Sequence, residues 1–258
     1  MGRTFTFLGT GTSTGVPLLG CECETCRSPD PRNQRCRCAV VISLPQGRIL
    51  VDTPPEIRLQ LLRAGVHRVE AVLYTHHHAD HIFGFDDVRH FARQLGGPVP
   101  IYCSEATERF LRRTFDYAFT ADETLWQQGR VPHVALHRIG SEPFEVLGQR
   151  VIPIPLEHSI PVMGFRFDRL AYCPDVGAIP PHSWQLLQGV EILVLNALRP
   201  RKPLSGHLTL EQALEIVASL KPRRTYLTHL GHEIEHNRIS EQLPAGVELA
   251  YDGLSFSF

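Results

Sequence analysis

Long apolar runs are missing from this sequence: no stretch approaches the roughly 20 consecutive residues that a membrane-crossing helix needs. The opening residues, MGRTFTFLGTGTSTG, also lack the basic segment and apolar run of a secretory signal. These absences lead us to expect a cytoplasmic protein with no membrane partner. An excess of one charge is missing as well, since 26 basic and 27 acidic residues leave a formal net charge of -1. That balance carries no electrostatic footprint for nucleic acid, which is therefore not the expected partner, and an anionic substrate must be held by local charge. Tandem repeats, low-complexity tracts and long Ser/Gly linkers are absent too, so no boundary recommends itself and residues 1–258 read as one domain.

What is present is an apolar fraction of 43%, enough for a packed core, together with 7 cysteines and 14 histidines. Short runs rich in β-branched or aromatic residues predict strands at Thr4–Leu8, Ala39–Leu44, Arg48–Asp52, Glu70–Thr75, Val151–Leu156, Gly164–Asp168, Glu191–Asn196 and Arg224–Thr228. Leu210, Ala213, Leu214, Val217 and Leu220 recur at helical spacing, with Thr209 and Gln212 as a capping box. Ile57, Leu61 and Leu62 predict a second helix ending near Gly65, and Phe110, Leu111 and Phe115 a third. Strands come in runs as well as alternating with helices, which favours mixed sheets sandwiched between helices over a parallel doubly wound fold.

The chemistry concentrates in Thr75-His76-His77-His78-Ala79-Asp80-His81, directly after the apolar run Ala71–Tyr74. Imidazole and carboxylate suit zinc, manganese or iron, and ligands at alternate positions of a loop can be aimed at one point. His76 and His78 would serve one metal, Asp80 and His81 another. Later strands end in further ligand types: His158, Asp175 and His229. Taken singly, each is more simply a hydrogen-bonded loop residue. A second cluster, Cys21, Cys23 and Cys26, gathers three thiols beside Glu22 and Glu24, polar company that argues against buried cysteines and for a zinc-binding loop within 20–38. For its fourth ligand Cys36 and Cys38 are near along the chain, while His232 lies three residues after His229.

HHHADH followed by isolated His, Asp and His at strand ends resembles the HxHxDH pattern of the metallo-β-lactamase superfamily. The resemblance covers nearly the whole chain and implies an α/β fold of the αββα type, a four-layered sandwich of mixed sheets flanked by helices. It implies that His76, His78 and His158 bind one metal, that Asp80, His81 and His229 bind a second, and that Asp175 bridges them. Two such cations can make a hydroxide from water near neutral pH, with Asp80 available to orient it. Asp52 resembles the family's supporting aspartate, which braces the metal loop through hydrogen bonds.

LGTGTSTGVP, GCECETC and THLGH narrow the resemblance to the phosphodiesterases of the carbon-phosphorus lyase pathway, which open phosphoribosyl cyclic phosphate. That likeness implies a structural zinc on Cys21, Cys23, Cys26 and His232, two catalytic divalent metals (manganese or zinc), a small-molecule phosphodiester as substrate, and His207 as proton donor to the leaving oxygen. The segment around Asp175, Tyr172-Cys173-Pro174-Asp175, departs from the family in its proline. Arg199, Arg201 and Lys202 read as a solvated run, the glycines of Gly9–Gly15 as a turn near the metal edge without the lysine of a phosphate loop, and Glu105–Phe119 carries no substrate signature. Competing readings are an RNA-processing nuclease of the superfamily, which would need a basic arm, and a non-catalytic carrier of cofactor biosynthesis, which would have lost ligands. A homodimer through apolar helix faces is the candidate assembly.

Overall fold

Strands that are apolar on both faces need cover on both, and in the computed structural model, which describes residues 2–120 and 122–258, two sheets cover each other's inner faces and helices cover the outer ones. The first contains β1 (Thr4–Gly9), β2 (Ala39–Leu44), β3 (Gly47–Val51), β4 (Ala71–Leu73), β5 (Val99–Cys103) and β6 (Val134–Arg138). The second contains β7 (Phe144–Val146), β8 (Gln149–Leu156), β9 (Val162–Phe167), β10 (Leu170–Cys173), β11 (Ile192–Asn196), β12 (Arg224–Thr228) and β13 (Val247–Leu249), after which β14 (Ser255–Ser257) returns to pair with β1. The orders are β14-β1-β2-β3-β4-β5-β6 and β13-β12-β11-β10-β9-β8-β7. Each sheet is antiparallel at one end and parallel at the other, with β3 to β6 and β10 to β13 running parallel.

The alternation within single strands shows the layering. In β2, Val40 and Ile42 enter the core between the sheets, while Ala39 and Val41 face the helices outside. In β11, Ile192 and Val194 point inward and Leu193 and Leu195 outward. This is the four-layered sandwich that the family resemblance implied. Phe5, Phe7, Tyr226 and Phe256 stack in the central layer, where aromatic pairs add to their buried area.

The helix Leu210–Leu220 has both arms of its capping box: Gln212 N–H donates to Thr209 Oγ1 (3.2 Å) and Thr209 N–H to Gln212 Oε1 (2.9 Å). The helix Ile57–Arg63 ends two residues before Gly65, which sits at φ 64°. It buries Ile57 and Leu61, but Leu62 is 52% exposed, because it falls off the stripe that faces the sheet. The helix Glu105–Thr114 buries Leu111 and leaves Phe115 just past its end. No helix among the described residues is long and apolar enough to cross a membrane. Of most consequence for function, β3, β4, β8, β10 and β12 all end at one edge of the sandwich, where Asp52, His76, His158, Asp175 and His229 follow them.

Candidate metal centre

Asp52 leaves β3 in the left-handed region at φ 65° and turns its carboxylate under the next strand end. Its Oδ1 accepts from Thr75 N–H (2.8 Å), and its Oδ2 accepts from the Thr75 hydroxyl (2.8 Å) and from His81 Nδ1 (2.7 Å). With its proton given to Asp52, the Thr75 oxygen accepts from His76 Nδ1 at 2.9 Å. One buried carboxylate thereby orients both rings, with each Nε2 turned toward Asp175. Thr75 was not singled out in the sequence, where it looks like an ordinary last residue of a strand. Thr75→Val removes the link to His76 while keeping the shape, and should weaken divalent-metal binding about 10–100-fold, measured by competition with a chromophoric chelator.

His158 is oriented from a different direction, by donation from Nδ1 to the Gly206 carbonyl. Gly206 has φ 86°, and a Cβ there would lie 2.7 Å from the His158 ring, so glycine is required on both counts. His78 meets His76 Nε2 through its Nδ1 (3.0 Å) and Ser159 Oγ through its Nε2 (3.4 Å). His229, at φ 54°, approaches Thr12 Oγ1 (3.2 Å) from the loop after β12. Val176 N–H donates to Asn196 Oδ1 (3.1 Å), which pins the turn after Pro174 and sends Asp175 into the middle of the group.

Around that carboxylate the predicted residues converge. Asp175 Oδ2 lies 2.8 Å from His81 Nε2 and 3.7 Å from His76 Nε2, and its Oδ1 lies 3.2 Å from His229 Nε2 and 3.3 Å from His207 Nε2. The donor atoms of His76, His78 and His158 fall within 4.8 Å of one another, as do those of Asp80, His81 and His229. These are the two triads that the family resemblance implied, with Asp175 between them. The cavity above, about 320 Å³, is bordered by Ser13, Ala79, Ser159, Ser205 and His207 in addition to these groups. The three serines were not foreseen. Arg199 and Arg201 point elsewhere, toward Glu233 (3.6 Å) and Glu211 (2.8 Å).

Electrostatics suit a cation. Burial, and then the neighbouring His81, hold His76 well below the ordinary imidazole range, and burial pushes His229 down to about 4, so both offer neutral nitrogens. Burial also disfavours charge on His81 and on Asp175. It is overcome at His81 by the flanking Asp80 and Asp52, which raise the imidazole, and at Asp175 by His229, His207 and His81, which keep the carboxyl ionised. The neutral nitrogens of His76 and His229 beside the ionised Asp175 carboxylate are donors that suit a divalent ion. Asp175 Oδ1 is enclosed without a hydrogen-bond partner, at a cost of about 1–3 kcal/mol, and a cation held by the triads would satisfy it.

A second group lies nearby. Cys21 Sγ and Cys23 Sγ approach His232 Nδ1 at 3.3 and 3.5 Å, and Cys26 completes a set whose donors lie within 4.8 Å. Cys36 and Cys38 lie apart, Cys36 beside Arg63 and Cys38 buried beside Thr228. Because His232 is three residues beyond His229, this loop braces the active edge from behind. Gly9 and Gly11 belong to the same brace, since a Cβ on either would strike the Arg37 carbonyl (2.0 Å) or the Arg35 carbonyl (2.8 Å).

The family model described as a β-lactamase superfamily domain matches residues 47–230. The chain belongs to the metallo-β-lactamase superfamily. Within it, a solved diphosphatase of the PhnP family is 42% identical, with a TM-score of 0.91 over 99% of this chain and 98% of its own. The superfamily fold also recurs in the short form of human tRNase Z, 22% identical with a TM-score of 0.72 over 98% of each chain. An octanoyltransferase of Porphyromonas gingivalis is 34% identical over 253 residues, covering 96% of this chain. The chain spans 50% of that relative's length. Within the metallo-β-lactamase superfamily the chain lies close to the PhnP family.

Proposed function

We propose that residues 1–258 form one hydrolase domain, a phosphodiesterase acting on a small diester such as 5-phosphoribosyl 1,2-cyclic phosphate. The observation that carries the reading is the pair of triads meeting at Asp175 beneath a cavity bordered by serines and by no lysine or arginine. His76, His78 and His158 would hold one divalent ion, Asp80, His81 and His229 the other, with Asp175 shared; manganese and zinc both suit these donors. Bound there, two cations would activate water and neutralise charge on a phosphoryl oxygen. The chain supplies the rest. Ser13 and Ser159 offer hydroxyls to the non-bridging oxygens, and His207, at the cavity border with Nε2 3.3 Å from Asp175 Oδ1, would protonate the departing alkoxide. With no cationic side chain at the border, a singly charged diester fits better than a doubly charged monoester.

Cys21, Cys23, Cys26 and His232 would hold a structural zinc. Cys23→Ser should lose one equivalent of zinc by elemental analysis and lower the Tm in a thermal melt by several degrees, about 4 °C for each ~2 kcal/mol lost. The RNA-processing alternative gains no support from the charge balance, and the carrier alternative is disfavoured by the full donor set. The function is tested with a panel: 5-phosphoribosyl 1,2-cyclic phosphate, cyclic nucleotides, bis(p-nitrophenyl) phosphate and precursor transfer RNA, each with manganese-loaded protein. Cleavage of small diesters and not of RNA is expected. Cleavage of the RNA alone would replace this reading with the nuclease.

A further inference from the structure

The turn His229-Leu230-Gly231-His232 gives one side chain to each of two donor groups, His229 to the second triad and His232 to the cysteine loop. Part of its backbone is held by backbone: Leu230 N–H donates to the Thr10 carbonyl (2.9 Å), Gly231 N–H to the Leu198 carbonyl (2.8 Å), and Thr12 N–H to the Leu230 carbonyl (3.2 Å). The Gly231 carbonyl is taken instead by a side chain, since Arg35 Nη1 donates to it at 3.1 Å. Arg35 Nε donates to the Arg32 carbonyl (3.1 Å) and Nη2 to Asn33 Oδ1 (2.9 Å), an oxygen that also accepts from His236 N–H (2.9 Å). The backbone of Arg35 pairs in both directions with Val16 (2.7 and 2.9 Å), two residues before Leu18, whose N–H donates to Cys26 Sγ (3.3 Å). One residue therefore holds the cysteine loop through its main chain and the histidine turn through its side chain.

Arg35 is only 2% exposed, and all three acceptors of its guanidinium are neutral. A buried cation is costly unless anions offset it. Burial pushes this guanidinium down to about 10, which leaves it charged at neutral pH, and the anions that favour its charge are Asp252, Glu235, Asp30 and Cys26. Three thiolates and a neutral imidazole around zinc carry one net negative charge, so a cation buried behind the loop suits the loaded site. His229, for its part, keeps a left-handed backbone (φ 54°), which persists in a non-glycine residue only while its surroundings hold it. We propose that Arg35 is a positioning residue that couples the two metal sites: by clamping the Gly231 carbonyl it lets zinc on the cysteine loop fix His229 in the second triad as well as His232. The proposal rests on the zinc reading of the cysteine loop and on no particular substrate.

The test reads the two sites with different metals. Manganese disfavours thiolates and reports the triads, by competition with a chromophoric chelator, while cobalt on the cysteine loop is followed by its thiolate charge-transfer absorption. Wild type is compared with Arg35→Met, Arg35→Lys, Cys23→Ser and the double variant Arg35→Met with Cys23→Ser. Arg35→Met should weaken cobalt on the loop and manganese at the triads by roughly tenfold each, and Arg35→Lys, which keeps the charge but cannot span three acceptors, should recover part of both. Cys23→Ser should weaken manganese several-fold although Cys23 is no part of the triads, and the double variant should bind manganese no more weakly than the worse single one. Unchanged manganese affinity in Arg35→Met, or losses that multiply in the double variant as independent sites would, overturns the proposal. If Arg35→Met does not fold, Arg35→Lys and Cys23→Ser decide, and wild-type manganese affinity in either overturns it. Wild type without a thiolate band in cobalt would instead sink the zinc reading, and the coupling with it.

Discussion

Asp175→Ala should lower kcat/KM for phosphodiesters by about 10³-fold or more and take the active-site metal content from two equivalents toward none. Its carboxylate lies within 3.7 Å of the Nε2 atoms of His76, His81, His207 and His229. Without it the two triads share no donor, and the charge stabilisation that paired cations give a phosphoryl group, several kcal/mol, goes with it. The variant is read by steady-state kinetics together with metal analysis. Circular dichroism is needed alongside, since removing a buried carboxylate also leaves His81 with one fewer anionic neighbour. Full metal content with unchanged turnover would show that Asp175 does not join the triads.

His207→Ala should slow cleavage of a diester with an alkoxide leaving group by about 10²–10⁴-fold, the range for a positioned general acid. For a p-nitrophenolate leaving group, which departs without a proton, the loss should be far smaller. That split separates two roles the geometry offers. His207 Nε2 is 3.3 Å from Asp175 Oδ1, and His158, Asp175 and His207 themselves form a group with donor atoms within 4.8 Å. A proton donor gives losses that depend on the leaving group, whereas a metal-holding histidine gives equal losses for both esters and a lower metal content.

Much of this centre is legible in the sequence because its chemistry is clustered along the chain. His76, His78, Asp80 and His81 lie on one strand-to-helix turn, and the cysteines within one short loop. His158, Asp175 and His229 could be placed only through the family resemblance, since each is alone in its loop and only the parallel ends of β8, β10 and β12 unite them. The central strands were readable from their apolar runs. β5, with Pro100, and β6, an edge strand ending in His137 and Arg138, lack that signature, and β7, β13 and β14 are only three residues each. Thr75, Ser13 and Ser159 were not legible, because hydrogen-bond relays between distant segments leave no periodic trace. Leu62 shows the opposite error, an apolar residue at near-helical spacing that faces solvent.

The most direct measurement is a titration of metal-stripped protein with manganese, following cleavage of bis(p-nitrophenyl) phosphate and of p-nitrophenyl phosphate at each addition while bound metal is counted. The paired-triad account predicts that diester cleavage rises to its plateau only as the second active-site equivalent binds, and that the monoester is cleaved far more slowly. Protein carrying both ions without cleaving the diester, or reaching full activity with one, would contradict it.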